Sequence, residues 1–145
     1  MNGEFHILIA DRNRHVREFL QRELRADGYC VQVARDGREV LLTLNGEQRP
    51  DLLILDLDIP YEGWPALLGQ IRRDAPTTPV VIHTLLTEFA GHPELLDTAA
   101  FLEKSGNTDM LKKVVREVLM TRYGERWEAG ASDPMEPAKD TEETD

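Results

Sequence analysis

Five short apolar runs alternate along this chain with segments whose apolar residues recur at helical spacing. Such alternation predicts parallel strands joined by helices that cover both faces of one sheet. The five runs lie at residues 5–10, 29–34, 52–55, 80–83 and 100–103. Since 145 residues suffice for one ordinary domain, the chain is predicted to be an α/β protein with a single five-stranded parallel sheet.

The helical segments between these runs carry recognisable signals at their ends. Asp36 followed by Glu39 is a capping-box pattern, Gly28 is suited to end the first helix, and Pro65 is suited to begin the third. Helices are expected at 13–27, 36–44, 65–73, weakly at 93–99, and from about residue 108 onwards. A strand followed by a helix is therefore predicted five times.

The charges divide the chain into a domain and an acidic tail. Residues 124–145 hold eight acids and two bases with few apolar groups, so they bury too little surface to offset the entropy of ordering. We expect a domain over residues 1–123 and a disordered tail beyond about Trp127. The formal net charge of -10 for the whole chain argues against binding to nucleic acids or to anionic membranes.

Cysteine usage and hydropathy point to the cytoplasm. Cys30 is the only cysteine, which excludes an intramolecular disulfide and a zinc site built from several thiolates. The amino terminus lacks the pattern of a secretory leader, and no apolar run approaches the ~18 residues of a membrane span. The length also leaves no room for a second, output domain, so the domain is expected to act alone.

Polar side chains follow four of the predicted strands at the point where each strand ends. Asp11 follows the first, Asp56 the third, Thr84 the fourth and Lys104 the fifth. Ligands of open α/β sheets bind beyond the carboxyl ends of the strands, where the strand order reverses. Taken singly, these residues are ordinary turn, strand or surface residues, and only their convergence indicates a site.

Apolar strands that end in these four residues, in this order, resemble the receiver domain of two-component response regulators. The segments that carry the resemblance are ILIAD at 7–11, DLLILDLDIP at 51–60, PVVIHT at 79–84 and FLEK at 101–104. The resemblance extends from about residue 5 to 123 and implies a flavodoxin-like, doubly wound (βα)5 fold. It also implies that a histidine kinase, a phosphotransfer protein or a small phosphodonor phosphorylates Asp56, without turnover of a separate substrate.

The resemblance implies a role for each neighbour of Asp56. Magnesium would be held by Asp11, Asp56 and the backbone carbonyl of Asp58, because it prefers oxygen ligands. Lys104 would pair with one phosphoryl oxygen, and Thr84 would move inward to bond another. The side chains expected to bind the phosphoryl group or to switch with it are Thr84, Lys104 and Phe101, the last through packing alone.

Arg12 stands where the family usually has a second acid after the first strand. One hypothesis is that its guanidinium reaches over the crevice, pairs with Asp56 or Asp58, and partly takes the place of the metal. The apparent affinity for Mg2+ would then be weak. The alternative is that Arg12 points to solvent beside Arg14 and Arg17.

Two further positions depart from the family pattern. Leu85 follows the threonine where a small residue usually leaves the phosphoryl site open, so access of a donor or of water would be hindered. Ser105 replaces the proline that commonly follows the lysine. Arg12 and Leu85 are therefore expected to modify the pocket.

Three functions follow from these observations. The first is a stand-alone phosphoacceptor that signals to a downstream protein through the face of the fourth helical segment, the fifth strand and the last helix, with weak homodimerisation as an option. The second is a pseudo-receiver, an interaction module that Arg12 and Leu85 keep from being phosphorylated. The third is a small phosphatase using Asp56 and Asp58 as nucleophile and acid, which Pro60 and the position of the pair on the third strand disfavour.

Overall fold

The sheet determines where each candidate residue lies. The computed structural model describes residues 5–85 and 91–131, without side-chain detail at residues 130 and 131. Five parallel strands are arranged in the order β2-β1-β3-β4-β5, which confirms the predicted doubly wound α/β fold. The strands are β1 (His6–Ala10), β2 (Cys30–Ala34), β3 (Leu52–Leu55), β4 (Val80–Thr84) and β5 (Ala100–Glu103).

Helices cover both faces of this sheet. They are α1 (Arg14–Ala26), α2 (Gly37–Leu44), α3 (Trp64–Asp74), α4 (Asp109–Arg122) and α5 (Gly124–Ala131). Alternate residues of β1 face opposite layers, since Ile7 and Ile9 pack with α1 and α4, whereas Leu8 and Ala10 pack with α2 and α3. No helix in the described ranges combines the length and apolarity needed to cross a membrane.

The prediction of a helix at 93–99 is wrong, because only a short 3-10 helix, Pro93–Leu95, forms there. The Thr98 hydroxyl and amide both donate to the Leu95 carbonyl, at 2.7 and 3.1 Å. These bonds end the helical geometry after a single turn. The next amide, of Ala99, already donates to the Val80 carbonyl at 2.8 Å and so belongs to the sheet. The chain between the turn and β5 is too short to continue as a helix.

Side-chain caps fix the starts of α1 and α2. The Asn13 carboxamide oxygen accepts the amides of His15 and Val16, so α1 begins after Asn13, and Arg12 precedes the cap. Asp36 accepts the amide of Glu39 at 2.9 Å, as the capping-box pattern predicts. These caps hold the two loops that leave the carboxyl ends of β1 and β2.

The predicted boundary at residue 123 needs correction, because α5 follows directly and packs on the domain. The Trp127 ring lies 5.7 Å from the Phe5 ring, centre to centre, and the Trp127 amide donates to the Tyr123 carbonyl. Trp127 supplies an apolar contact and Arg126 a charged contact between α5 and the rest of the domain. The expectation of disorder over 132–145 concerns residues outside the described ranges.

The loop after β3 is held by a close approach to α2. The Gly37 amide donates to the Pro60 carbonyl at 2.9 Å, and the Tyr61 ring lies directly against Gly37. A Cβ at residue 37 would stand only 2.5 Å from a Tyr61 ring carbon. Leu57 and Ile59 of the same loop are buried among α2 and α3, so the segment that follows Asp56 is anchored on both sides.

Candidate functional site at the carboxyl end of the sheet

Two buried carboxylates lie side by side beyond β1 and β3. Asp11 and Asp56 are 1% and 3% exposed, and the Asp56 amide donates to the Ala10 carbonyl at 2.9 Å. One carboxylate oxygen of Asp11 accepts the amide of Asn13 at 2.8 Å, and one of Asp56 accepts the amide of Asp58 at 3.2 Å. The first turn of each following loop therefore orients the side chain that opens it.

Lys104, the first residue after β5, contacts both carboxylates. Its Nζ lies 2.7 Å from Asp11 Oδ2 and 3.1 Å from Asp56 Oδ2, and the side chain is 12% exposed. The Lys104 amide donates to the Thr84 carbonyl at 2.8 Å, which fixes the backbone from which the side chain extends. Burial raises the pKa of the Asp11 carboxyl, outweighing the hydrogen bonds from Lys104 and Asn13 that lower it.

Arg12, which follows β1, pairs with the loop that follows β3. Its Nη2 lies 3.3 Å from Asp58 Oδ2, and the two side chains are 61% and 54% exposed. This pairing is one of the two that the sequence suggested for Arg12, although most of the side chain remains in contact with solvent. Arg17, also expected in solvent, donates to the Asp11 carbonyl at 2.7 Å and holds the loop from below.

Thr84 ends β4 with a buried hydroxyl that lacks a partner. The residue is 0% exposed, and within the described residues its Oγ1 makes no hydrogen bond. Phe101 is half-buried and packs against the core layer of α2 and α3. Leu85 is 67% exposed and lines a cleft of about 430 Å³ with Phe19 and Lys104, so it stands beside the crevice.

The family model for the response regulator receiver domain matches residues 7–117. The chain belongs to this family. Response regulator MprA of Mycolicibacterium vanbaalenii is 35% identical over 94 residues, which are 65% of this chain and 40% of that protein. MprA of Mycobacterium avium is 34% identical over a similar span. The chain thus spans about two fifths of the length of these curated relatives.

Solved receiver structures show the same fold. Response regulator TrrA of Thermotoga maritima, crystallised with Mg(2+)-BeF, is 28% identical with a TM-score of 0.74, over 79% of this chain and 99% of that one. Its complex with the histidine kinase ThkA matches with a TM-score of 0.72 over 79% and 98%. CheY4 of Vibrio cholerae is 26% identical with a TM-score of 0.70. The chain is a receiver domain of two-component signalling.

His83 lies beside these site residues, and no sequence pattern singled it out. It is 6% exposed, its Nδ1 has no partner within the described residues, and it lines the same cleft as Leu85 and Lys104. Burial, helped by the nearby Lys104 ammonium, lowers the pKa of His83 to about 4. A histidine inside the otherwise apolar run of a central strand was the available signal.

The donor set can be compared with what magnesium requires. Asp11 and Asp56 offer oxygen ligands of the right kind, but the Lys104 ammonium lies against both, and the Asp58 carboxylate is turned to Arg12. Over residues 5–85 and 91–131, no three acidic, histidine or cysteine side chains are grouped to hold a metal ion. The arrangement does not fit a resident divalent cation, and the predicted metal role of the three acids stays a prediction.

Proposed function

We propose that this receiver domain accepts a phosphoryl group on Asp56. The observation that carries the proposal is the buried Asp56 carboxylate beside a lysine, at the edge of the sheet where the Thr84 hydroxyl is buried with no hydrogen-bond partner among residues 5–85 and 91–131. A buried hydroxyl that makes no hydrogen bond destabilises the fold by roughly 1–3 kcal/mol. A phosphoryl oxygen at Asp56 would accept that hydrogen bond, so the defect in the free protein becomes an interaction in the phosphorylated one.

The proposed step is a transfer between two nucleophiles. An Asp56 carboxylate oxygen attacks the phosphorus of a phosphohistidine or of a small phosphodonor, forming the O–P bond of an acyl phosphate. The P–N or P–O bond of the donor breaks, and the donor's leaving atom takes up a proton. Lys104 stabilises charge on one equatorial oxygen and Thr84 donates to another, while the acyl phosphate remains on the chain. The protein modifies itself and turns over no separate substrate.

The proposed partners are proteins. The ThkA–TrrA complex shows a related receiver with its histidine kinase, and we infer a histidine kinase or phosphotransfer protein as the donor here. The net charge of -10 disfavours nucleic acid as a direct target, so the output is proposed to be a downstream protein. Because a 3-10 turn replaces the fourth helix, the output face would consist of β5 and α4, for a partner or for a weak homodimer. We retain a role in the cytoplasm as part of this proposal.

A pseudo-receiver is the second candidate, and one observation favours it. Lys104 already satisfies both buried carboxylates, and Arg12 pairs with Asp58 in the loop that follows β3. Such a pocket could hold one state without modification. The phosphatase alternative has no comparable support, because the Asp58 carboxylate that would serve as its acid faces Arg12.

Labelling with acetyl phosphate, followed by intact mass spectrometry, tests the proposal. The native chain is expected to gain the mass of one phosphoryl group, and Asp56→Asn to gain none. Asp58→Asn is the matched control, since it removes an acid two residues away whose side chain is 54% exposed, and it should still be labelled. A native chain that stays unlabelled with acetyl phosphate and with phosphoramidate would favour the pseudo-receiver.

A further inference from the structure

The charges around Asp56 are compensated to within one unit without a metal. The crevice contains three carboxylates, Asp11, Asp56 and Asp58, and two cations, Arg12 and Lys104. Each carboxylate has a cationic nitrogen within 3.3 Å. With all five groups ionised the net charge is -1.

The identity of residue 12 sets this balance. A carboxylate in place of the Arg12 guanidinium would change the local charge by two units and leave the crevice at -3. One divalent cation would then restore -1. Arg12 therefore supplies as much charge compensation as a bound Mg2+ would supply to a crevice with an acid at that position.

The geometry also opposes binding of a divalent cation to the native crevice. Magnesium requires near-octahedral oxygen ligands at about 2.0–2.1 Å. To obtain them it would have to displace the Lys104 ammonium, which lies 2.7 and 3.1 Å from the two buried carboxylates. It would also have to approach the guanidinium that pairs with Asp58 at 3.3 Å. Both steps place like charges together.

We propose that Arg12 takes the place of a divalent cation in this receiver domain, so that Arg12 and Lys104 together hold the phosphoryl oxygens and no metal is needed. The inference rests on the proposed phosphorylation of Asp56 for its ligand, a phosphoryl group, but its charge argument concerns the free protein. A guanidinium presents a planar fork of donors that matches phosphoryl oxygens in pairs. Its 61% exposure leaves the Arg12 side chain able to turn from Asp58 toward an incoming anion.

Titration calorimetry with Mg2+ alone tests the charge argument. Arg12→Asp should bind Mg2+ on the order of 10- to 100-fold more tightly than the native chain, because two units of charge change close to the ion. Arg14→Asp is the matched control: it makes the same charge change on α1, where Arg14 pairs with the exposed Glu18, and it should leave Mg2+ binding nearly unchanged. Equal affinities of the native chain and Arg12→Asp would overturn the inference.

Labelling with acetyl phosphate, in EDTA or in excess Mg2+, tests whether phosphorylation needs a divalent cation. The native chain should be labelled at the same rate in both, within about a factor of two, whereas Arg12→Asp should need Mg2+. A native chain labelled only with Mg2+ would also overturn the inference. If neither protein is labelled in either condition, the phosphoacceptor proposal fails, and the Mg2+ titration alone decides whether Arg12 replaces the cation. Thermal unfolding of both variants confirms that they are folded.

Discussion

An aspartate borders each end of β3, and the two are used differently. Asp51, before the strand, accepts the His6 amide at 2.8 Å and two Arg126 nitrogens at 2.9 and 2.8 Å. Its carbonyl accepts the Tyr123 hydroxyl at 2.7 Å, and the Arg126 guanidinium also lies 4.4 Å from the Phe5 ring centre. This amino-end cluster ties α5 to the sheet with partners supplied by the chain itself.

At the carboxyl end of the sheet, fewer of the buried polar groups have partners. Asp56 shares Lys104 with Asp11, and two buried polar atoms nearby, Thr84 Oγ1 and His83 Nδ1, lack partners within the described residues. Buried polar atoms without partners destabilise a fold, and an ordered water, an ion or a ligand can satisfy them. The difference indicates that the amino end contributes to stability and that the carboxyl end keeps capacity for binding.

The largest expected effect concerns His83 and acid. Its pKa falls from 6.5 to about 4 on folding, so the unfolded chain binds the proton more tightly. The stability contributed by this group is complete above pH 6.5 and is lost as the pH falls toward 4, by about 3 kcal/mol. Urea unfolding measures the loss of stability between pH 7.5 and pH 4 for the native chain and for His83→Leu. The loss should be smaller in the variant by about 3 kcal/mol. An equal loss in both would place the cost of acidification elsewhere.

Next in size is the exchange of the two aspartates for alanine. Asp51→Ala leaves Arg126 and the His6 amide without their partner and should lower the free energy of unfolding by roughly 2–3 kcal/mol. Asp56→Ala should change it by less than about 1 kcal/mol, because Lys104 keeps Asp11 at 2.7 Å and one of two neighbouring carboxylates is gone. Urea unfolding measures both. A larger loss for Asp56→Ala would contradict the division between the two ends.

The smallest effect concerns the loop after Asp56. Gly37→Ala brings a Cβ within 2.5 Å of the Tyr61 ring and should destabilise the protein by about 1–2 kcal/mol. Gly106→Ala is the control, since a Cβ there meets no atom within 4 Å. In a Tyr61→Gly background the cost of Gly37→Ala should vanish, because this change also removes the Tyr61 Cβ that would stand 2.9 Å away, as thermal unfolding can show. A cost that persists there would mean that the Tyr61 contact is not its source.

The topology and the placement of the site could be predicted from sequence. The spacing of apolar residues and the helix-capping residues are local signals. They predicted the strands and the starts of α1 and α2, with small errors at the ends. Parallel strands of known order bring their carboxyl ends together, so Asp11, Asp56, Thr84 and Lys104 lie at one edge of the sheet as expected, while the roles predicted for them stay predictions. Membership of the receiver family followed from the same segments.

Other features depend on contacts between residues distant in sequence. The composition of 124–145 indicated disorder, but Trp127 and Arg126 find Phe5 and Asp51 in the folded domain, and α5 forms. The weak helical signal at 93–99 was overridden by pairing with β4. Neither outcome can be predicted from the local sequence.

The sequence alone determined the fold, the family and the four strand-end residues, because periodicity and strand order are properties of the chain. Only the tertiary structure showed that Arg12 lies 3.3 Å from Asp58 and that, within the described ranges, His83 Nδ1 and Thr84 Oγ1 are buried without a hydrogen-bond partner. Charge pairing and hydrogen bonding depend on a few ångströms between separate loops. Those distances are set when the loops pack, and no spacing in the sequence encodes them.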